Sequence, residues 1–144
     1  MKRLAKSLST IAPFLYMAAV WMMSSMPDNV IIELPQSEVD RFFKESLHLI
    51  EFAILYSLIV NAFLAHGRFT STVHLAAALI ACFYGFIDEI HQAFVPSRSA
   101  TVIDAVKDVT GVLVCFFIVQ FTYFQRPDSL ISRLMNKFTH WASS

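Results

Sequence analysis

Four long apolar runs separated by short polar connections constrain this chain more than any other feature of it. Leu8 to Met23 is broken only by Ser9 and Thr10. Leu47 to Ala65, about Ser71 to His91 and about Val102 to Tyr123 follow. Each run is near the ~20 residues that cross the hydrocarbon of a bilayer as a helix, and the short connections make neighbouring helices antiparallel. At 144 residues the chain has room for one domain. With 56% hydrophobic residues, 15% charged residues and a mean hydropathy of +0.57, it carries more apolar side chain than a soluble core of this size needs. The expected fold is all-α: a single-domain polytopic membrane protein, an antiparallel bundle of four transmembrane helices over about 8–25, 47–65, 71–91 and 102–123. A net charge of zero leaves no electrostatic footprint for nucleic acid. Cys82 and Cys115 both lie in apolar runs, which points to two buried thiols rather than a disulfide framework.

The connections carry the punctuation. Lys2, Arg3 and Lys6 before the first run resemble the start of a signal peptide, but the run is longer than a signal core and no small-x-small site follows, so it is expected to stay as a helix. That helix should end near Ser24, Ser25 and Pro27, and Pro13 is placed to kink its first turns. Ser37 with Asp40 resembles a capping signal that starts the second helix ahead of the membrane. Gly67 suits a tight turn, Thr70 and Ser71 can cap the third helix, Pro96 ends it, and Thr101 with Asp104 forms a capping box for the fourth. After Arg126 and Pro127, Leu130, Ile131, Leu134, Phe138 and Trp141 recur at helical spacing, with Arg133, Lys137 and His140 on the other side. A short amphipathic helix over about 128–141, lying in the cytoplasmic interface, is expected.

Lys and Arg in the flanks orient the bundle. Lys2, Arg3, Lys6, Arg68, Arg126, Arg133 and Lys137 fall on one side, against Arg41, Lys44 and Arg98 on the other, with Lys107 left out as a residue inside the fourth span. Both termini are therefore expected on the cytoplasmic face of the membrane. The same assignment gathers Ser24 and Ser25, His48 and Glu51, Asp88 to Gln92, and Asp104 to Asp108 at the outer boundary, although none of them was used to set it.

These polar residues are the candidate site, because ionisable groups in so apolar a chain are costly unless they pair, line a wet cavity or do chemistry. Asp88, His91 and Gln92 share a helix face, and Glu89 sits about 100° round from Asp88. Acids are disfavoured at a helix carboxyl end, so Asp88 and Glu89 call for a cation, for which Arg98 is the best candidate; the plain alternative is that they are solvated boundary residues. His48 and Glu51, three apart, suit a metal pair, a proton-transfer pair or an ordinary intrahelical hydrogen bond, and no metal or other cofactor is expected. Asp104 is either a ligand contact or simply the third residue of the capping box. Asp108 is one turn deeper, beyond useful capping, beside Lys107. Gly111 on the same face allows close helix approach. Ser24 and Ser25 either meet a ligand or bond back to their own helix.

Taken together, Ser24-Ser25-x-Pro27, Lys44 with His48 and Glu51-Phe52, and Asp88-Glu89-x-x-Gln92-x-Phe94-x-Pro96-x-Arg98 followed by Asp104 and Gly111 resemble the VanZ-like membrane proteins. Asp108 stands where that family usually has asparagine, which keeps polarity and changes charge. The resemblance implies a small multi-helix integral membrane protein of the cell envelope, in a family named for a low-level teicoplanin-resistance factor. Two functions are weighed from it. In one, the protein binds a membrane lipid or lipid-linked cell-wall precursor, or a glycopeptide antibiotic, at the outer leaflet, through Arg98, Gln92, Glu51, Asp104, Asp108, Ser24 and Ser25. In the other it is an enzyme acting on a phosphate-bearing lipid head group, with Glu89, His48 and Asp88 as catalytic groups. Proton-coupled transport fits less well, because no acids lie in the inner halves of the spans.

Overall fold

The computed structural model describes residues 1–26, 38–96 and 101–143, and the backbone alone at 38–46, 48 and 143. Five α-helices account for most of it: α1, Lys2–Ser24; α2, Glu38–Ala65; α3, Ser71–Gln92; α4, Val102–Val119; and α5, Leu130–Ser143, with a π-helical segment, Gln120–Gln125, continuing α4. No strand occurs among the described residues. Local chemistry sets the ends. Gly67, at φ 64°, supplies the left-handed residue of the α2–α3 turn. The Thr70 hydroxyl accepts from Val73 N at 3.3 Å and Thr101 Oγ1 accepts from Asp104 N at 3.2 Å, which caps α3 and α4.

α2 is the central helix. It packs on all four others and most extensively on α4, while α3 bridges α4 and α1. Its buried face runs through Phe52, Leu55, Tyr56, Ile59, Val60 and Leu64. Small residues let the helices close on it. A Cβ at Gly111 would run into the backbone carbonyl of Leu49, and one at Gly85 would come to 3.3 Å from Asp108 Cβ and 3.5 Å from Phe52 Cε1. Ala77, Ala81 and Gly85 repeat at four-residue intervals and are all buried, which makes one side of α3 smooth enough for that approach.

The outside of the bundle is apolar. α1 exposes Leu4, Leu8, Ile11, Phe14 and Leu15, and α3 exposes Leu75, Leu79, Ile80, Phe83 and Ile90. Buried in their place are Ser24, His74, Asp88, Glu89, Gln92 and Asp108. Among the described residues, α1 and α3 are long and apolar enough to cross a membrane by themselves. The other two expected spans fall short for identifiable reasons: the apolar part of α2 is the shorter Leu49–Ala65, and α4 carries Asp104, Lys107 and Asp108 in its first two turns.

Element boundaries differ from expectation in two places. α1 begins at Lys2 rather than Leu8 and runs through Pro13. α2 begins at Glu38, ahead of the apolar run as expected, while Ser37 and Pro27 lie outside the described residues. The fourth helix does not stay α-helical to Tyr123. There the wider turn brings both Tyr123 and Phe124 onto Phe69, with ring centroids 5.3 and 5.5 Å apart, and His74 stacks on Phe116 at 4.1 Å.

Candidate functional site

The end of the bundle where α1 and α3 finish and α4 begins holds the chemistry. Asp88 is fully buried on α3, one turn before Gln92 on the same face. Its Oδ2 accepts from Gln92 Nε2 at 2.6 Å and from Ser24 Oγ of α1 at 2.9 Å, and Gln92 Nε2 also reaches Ser24 Oγ at 3.3 Å. One carboxylate oxygen is thus fixed by two donors from two helices. The other, Oδ1, is buried without a hydrogen-bond partner among the described residues. A buried acceptor left open is costly and is the kind of vacancy that an arriving donor fills.

Around this centre the other positions take distinct roles. Glu89 is buried beside Asp88 on α3. Asp108, also buried, is brought against α3 at Gly85, one turn before Asp88 and Glu89, because glycine leaves room for its carboxylate. On the rim, Ser25 Oγ donates to Trp21 O at 2.7 Å, so the 2.9 Å contact between Ser25 Oγ and His91 Nε2 has the imidazole as donor. The same imidazole stacks on Trp21, with ring centroids 3.9 Å apart. Tyr84 OH donates to Met17 O at 2.7 Å and Tyr16 OH to Glu51 O at 3.2 Å, which pins α1 to α3 and to α2 just inside the site.

Asp104 has a different environment. It is partly exposed, accepts from Thr101 Oγ1 at 2.6 Å and forms an ion pair with Lys107 at 3.0 Å. Those contacts are those of a helix cap with its own counter-ion. Glu51 is half-buried on α2. The side chain of His48, and Arg98 altogether, lie outside the described residues. Among the described residues no group of three or more His, Cys, Asp or Glu could hold a metal ion. Cys82 and Cys115 are free, partly buried thiols.

Several participants escape a reading of the sequence. Trp21 and Tyr84 look like ordinary members of apolar runs, and only the crossing of α1 and α3 gives them partners. Lys107 looks like a cation stranded in a span, yet its spacing of three from Asp104 is itself a readable signal for an intrahelical pair. Gly85, four positions ahead of Glu89, carries the same close-approach signal as Gly111.

An all-helical bundle with an apolar exterior, two helices of membrane-crossing length and acids buried at one end defines a class of small membrane proteins. The chain belongs to the VanZ/LLP1 family, whose model matches residues 3–123. No curated protein and no solved structure gives a significant match.

Proposed function

We propose that the protein is a four-span membrane protein with both termini cytoplasmic, whose outer-end cluster binds the head group of a lipid-linked cell-wall precursor and thereby influences glycopeptide susceptibility. The inverted distribution of polarity supports the membrane reading: α1 and α3 turn large apolar side chains outward while carboxylates occupy the interior. α2 and α4 then cross as members of the bundle, packed on each other and on α3.

The observation that carries the binding reading is Asp88, held by Ser24 and Gln92 through Oδ2, with no partner for its buried Oδ1 among the described residues. Such a carboxylate takes a group that donates hydrogen bonds, as a sugar hydroxyl, an amide or an ammonium does. Wall precursors combine such donors with a phosphate, and Arg98 is the residue we assign to the anionic part through its planar fork. Asp104 contributes by capping α4 rather than by touching ligand.

The test is incubation of purified protein in lipid nanodiscs with labelled undecaprenyl-type phosphates and lipid-linked precursors, wild type beside Glu89→Gln. Saturable binding by both proteins with the ligand recovered unchanged supports the binding role. Turnover by wild type that Glu89→Gln loses would instead make the protein an enzyme acting on the head group.

A further inference from the structure

At the opposite end of the bundle, α5 has three faces rather than the two of a simple amphipathic helix. Ser132 and Ala142 are buried, and Met135 and Thr139 lie between them on a side that packs against α1, α2 and the π-helical segment. Leu130 and Leu134 are 73% and 58% exposed, and Ile131 and Trp141 are exposed beside them. Arg133 and Lys137 stand exposed on the third side, with Asn136. At about 100° per residue these faces are spaced roughly evenly around the helix. A helix lying at the corner between a bundle, an acyl-chain layer and water needs this arrangement. The helix is also firmly seated, since Ser129 Oγ donates to Thr122 O at 2.6 Å and accepts from Ser132 N at 3.0 Å, tying its first turn to the π-helical segment.

We propose that α5 is a docking strip for the anionic phospholipid surface of the membrane in which the bundle sits. Leu130, Ile131, Leu134 and Trp141 enter the acyl boundary, and Arg133 and Lys137 meet the phosphates. Charge complementarity selects this occupant. From Arg126 to Ser143 the chain carries Arg126, Arg133 and Lys137 against the single acid Asp128, and the exposed Lys2 and Arg3 of α1 lie at the same end. An apolar strip bordered by cations is how interfacial helices read acidic lipid. α5 also lies beyond the stretch matched by the family, residues 3–123. The inference rests on the membrane reading above, and on neither the outer cluster nor its ligand.

The chain has two tryptophans, Trp21 and Trp141, so Trp21→Phe and Trp141→Phe each leave one reporter. Each variant is placed in nanodiscs of phosphatidylcholine, with and without phosphatidylglycerol, carrying lipids brominated near the head-group end of the chain. Trp141 emission should be quenched, at least twofold more strongly with phosphatidylglycerol present, and Arg133→Gln with Lys137→Gln should remove that difference. Quenched Trp21 beside unquenched Trp141 overturns the proposal while leaving the spanning reading intact; both unquenched overturns the spanning reading itself. Efficient disulfide dimers of a Leu134→Cys variant, otherwise free of cysteine, would make a second copy the occupant and also overturn it.

Discussion

Ser24 Oγ donates to Asp88 Oδ2 at 2.9 Å across the α1–α3 contact, joining residues 64 positions apart at the centre of the buried cluster. Because donor and acceptor are both buried, Ser24→Ala leaves Asp88 Oδ2 with Gln92 as its one remaining donor among the described residues. The expected loss is about 1–3 kcal/mol of stability, read as a lower unfolding midpoint in detergent. Ser25→Ala should lose less, about 0.5 kcal/mol, since its hydroxyl is exposed and bonds back to Trp21. Equal effects would remove the special standing of the Ser24 contact.

Glycine substitutions should separate close backbone approach from ordinary packing. At Gly111 a new methyl meets the Leu49 backbone, which cannot move without moving α2. Gly111→Ala should therefore cost about 3 kcal/mol or prevent folding. At Gly85 the nearest atoms are side-chain atoms of Asp108 and Phe52, so Gly85→Ala should cost no more than about 1.5 kcal/mol. Thermal unfolding of the two variants side by side checks the order.

Much of this fold is readable in the sequence because its signals are local. The positions of α3, the Gly67 turn, the Thr70 and Thr101 caps and the shared face of Asp88 and Gln92 all follow from spacing within one helix. What escapes is cooperative between helices. Nothing at positions 120–125 announces a π-helical segment, which goes with the packing of Tyr123 and Phe124 on Phe69. The stacking of His91 on Trp21 likewise needs the α1–α3 crossing. Counter-ion choice is the other blind spot: Lys107, set aside as a residue inside the fourth span, forms an ion pair with Asp104 because both project from one helix, three residues apart.

The roles of the Asp104 turn can be tested through stability. Thr101→Ala removes the hydroxyl that accepts from Asp104 N, with an expected cost of about 1 kcal/mol. Lys107→Gln breaks a partly exposed pair, with an expected cost of under about 1 kcal/mol. Neither substitution should alter ligand affinity beyond about twofold. A large loss of binding in stable Lys107→Gln protein would move the Asp104 turn from capping into the ligand site.

Topology is checked with single cysteines in a background free of Cys82 and Cys115. A cysteine at Asp128, in the turn before α5, should be shielded from an impermeant thiol reagent in intact cells, and one at Ser37 should react. Labelling of the Asp128 position from outside would reverse or break the four-span arrangement.

The central claim is that the open face of Asp88, with Arg98 as the anion-gripping partner, holds the head group. It is tested most directly by binding of a labelled lipid-linked precursor to purified wild-type, Asp88→Asn, Arg98→Lys and Asp104→Asn proteins in nanodiscs, each at matched thermal stability. The account predicts at least tenfold weaker binding for Asp88→Asn and Arg98→Lys and near wild-type binding for Asp104→Asn. Undiminished binding by Asp88→Asn and Arg98→Lys would contradict it and leave the cluster a structural feature of the bundle.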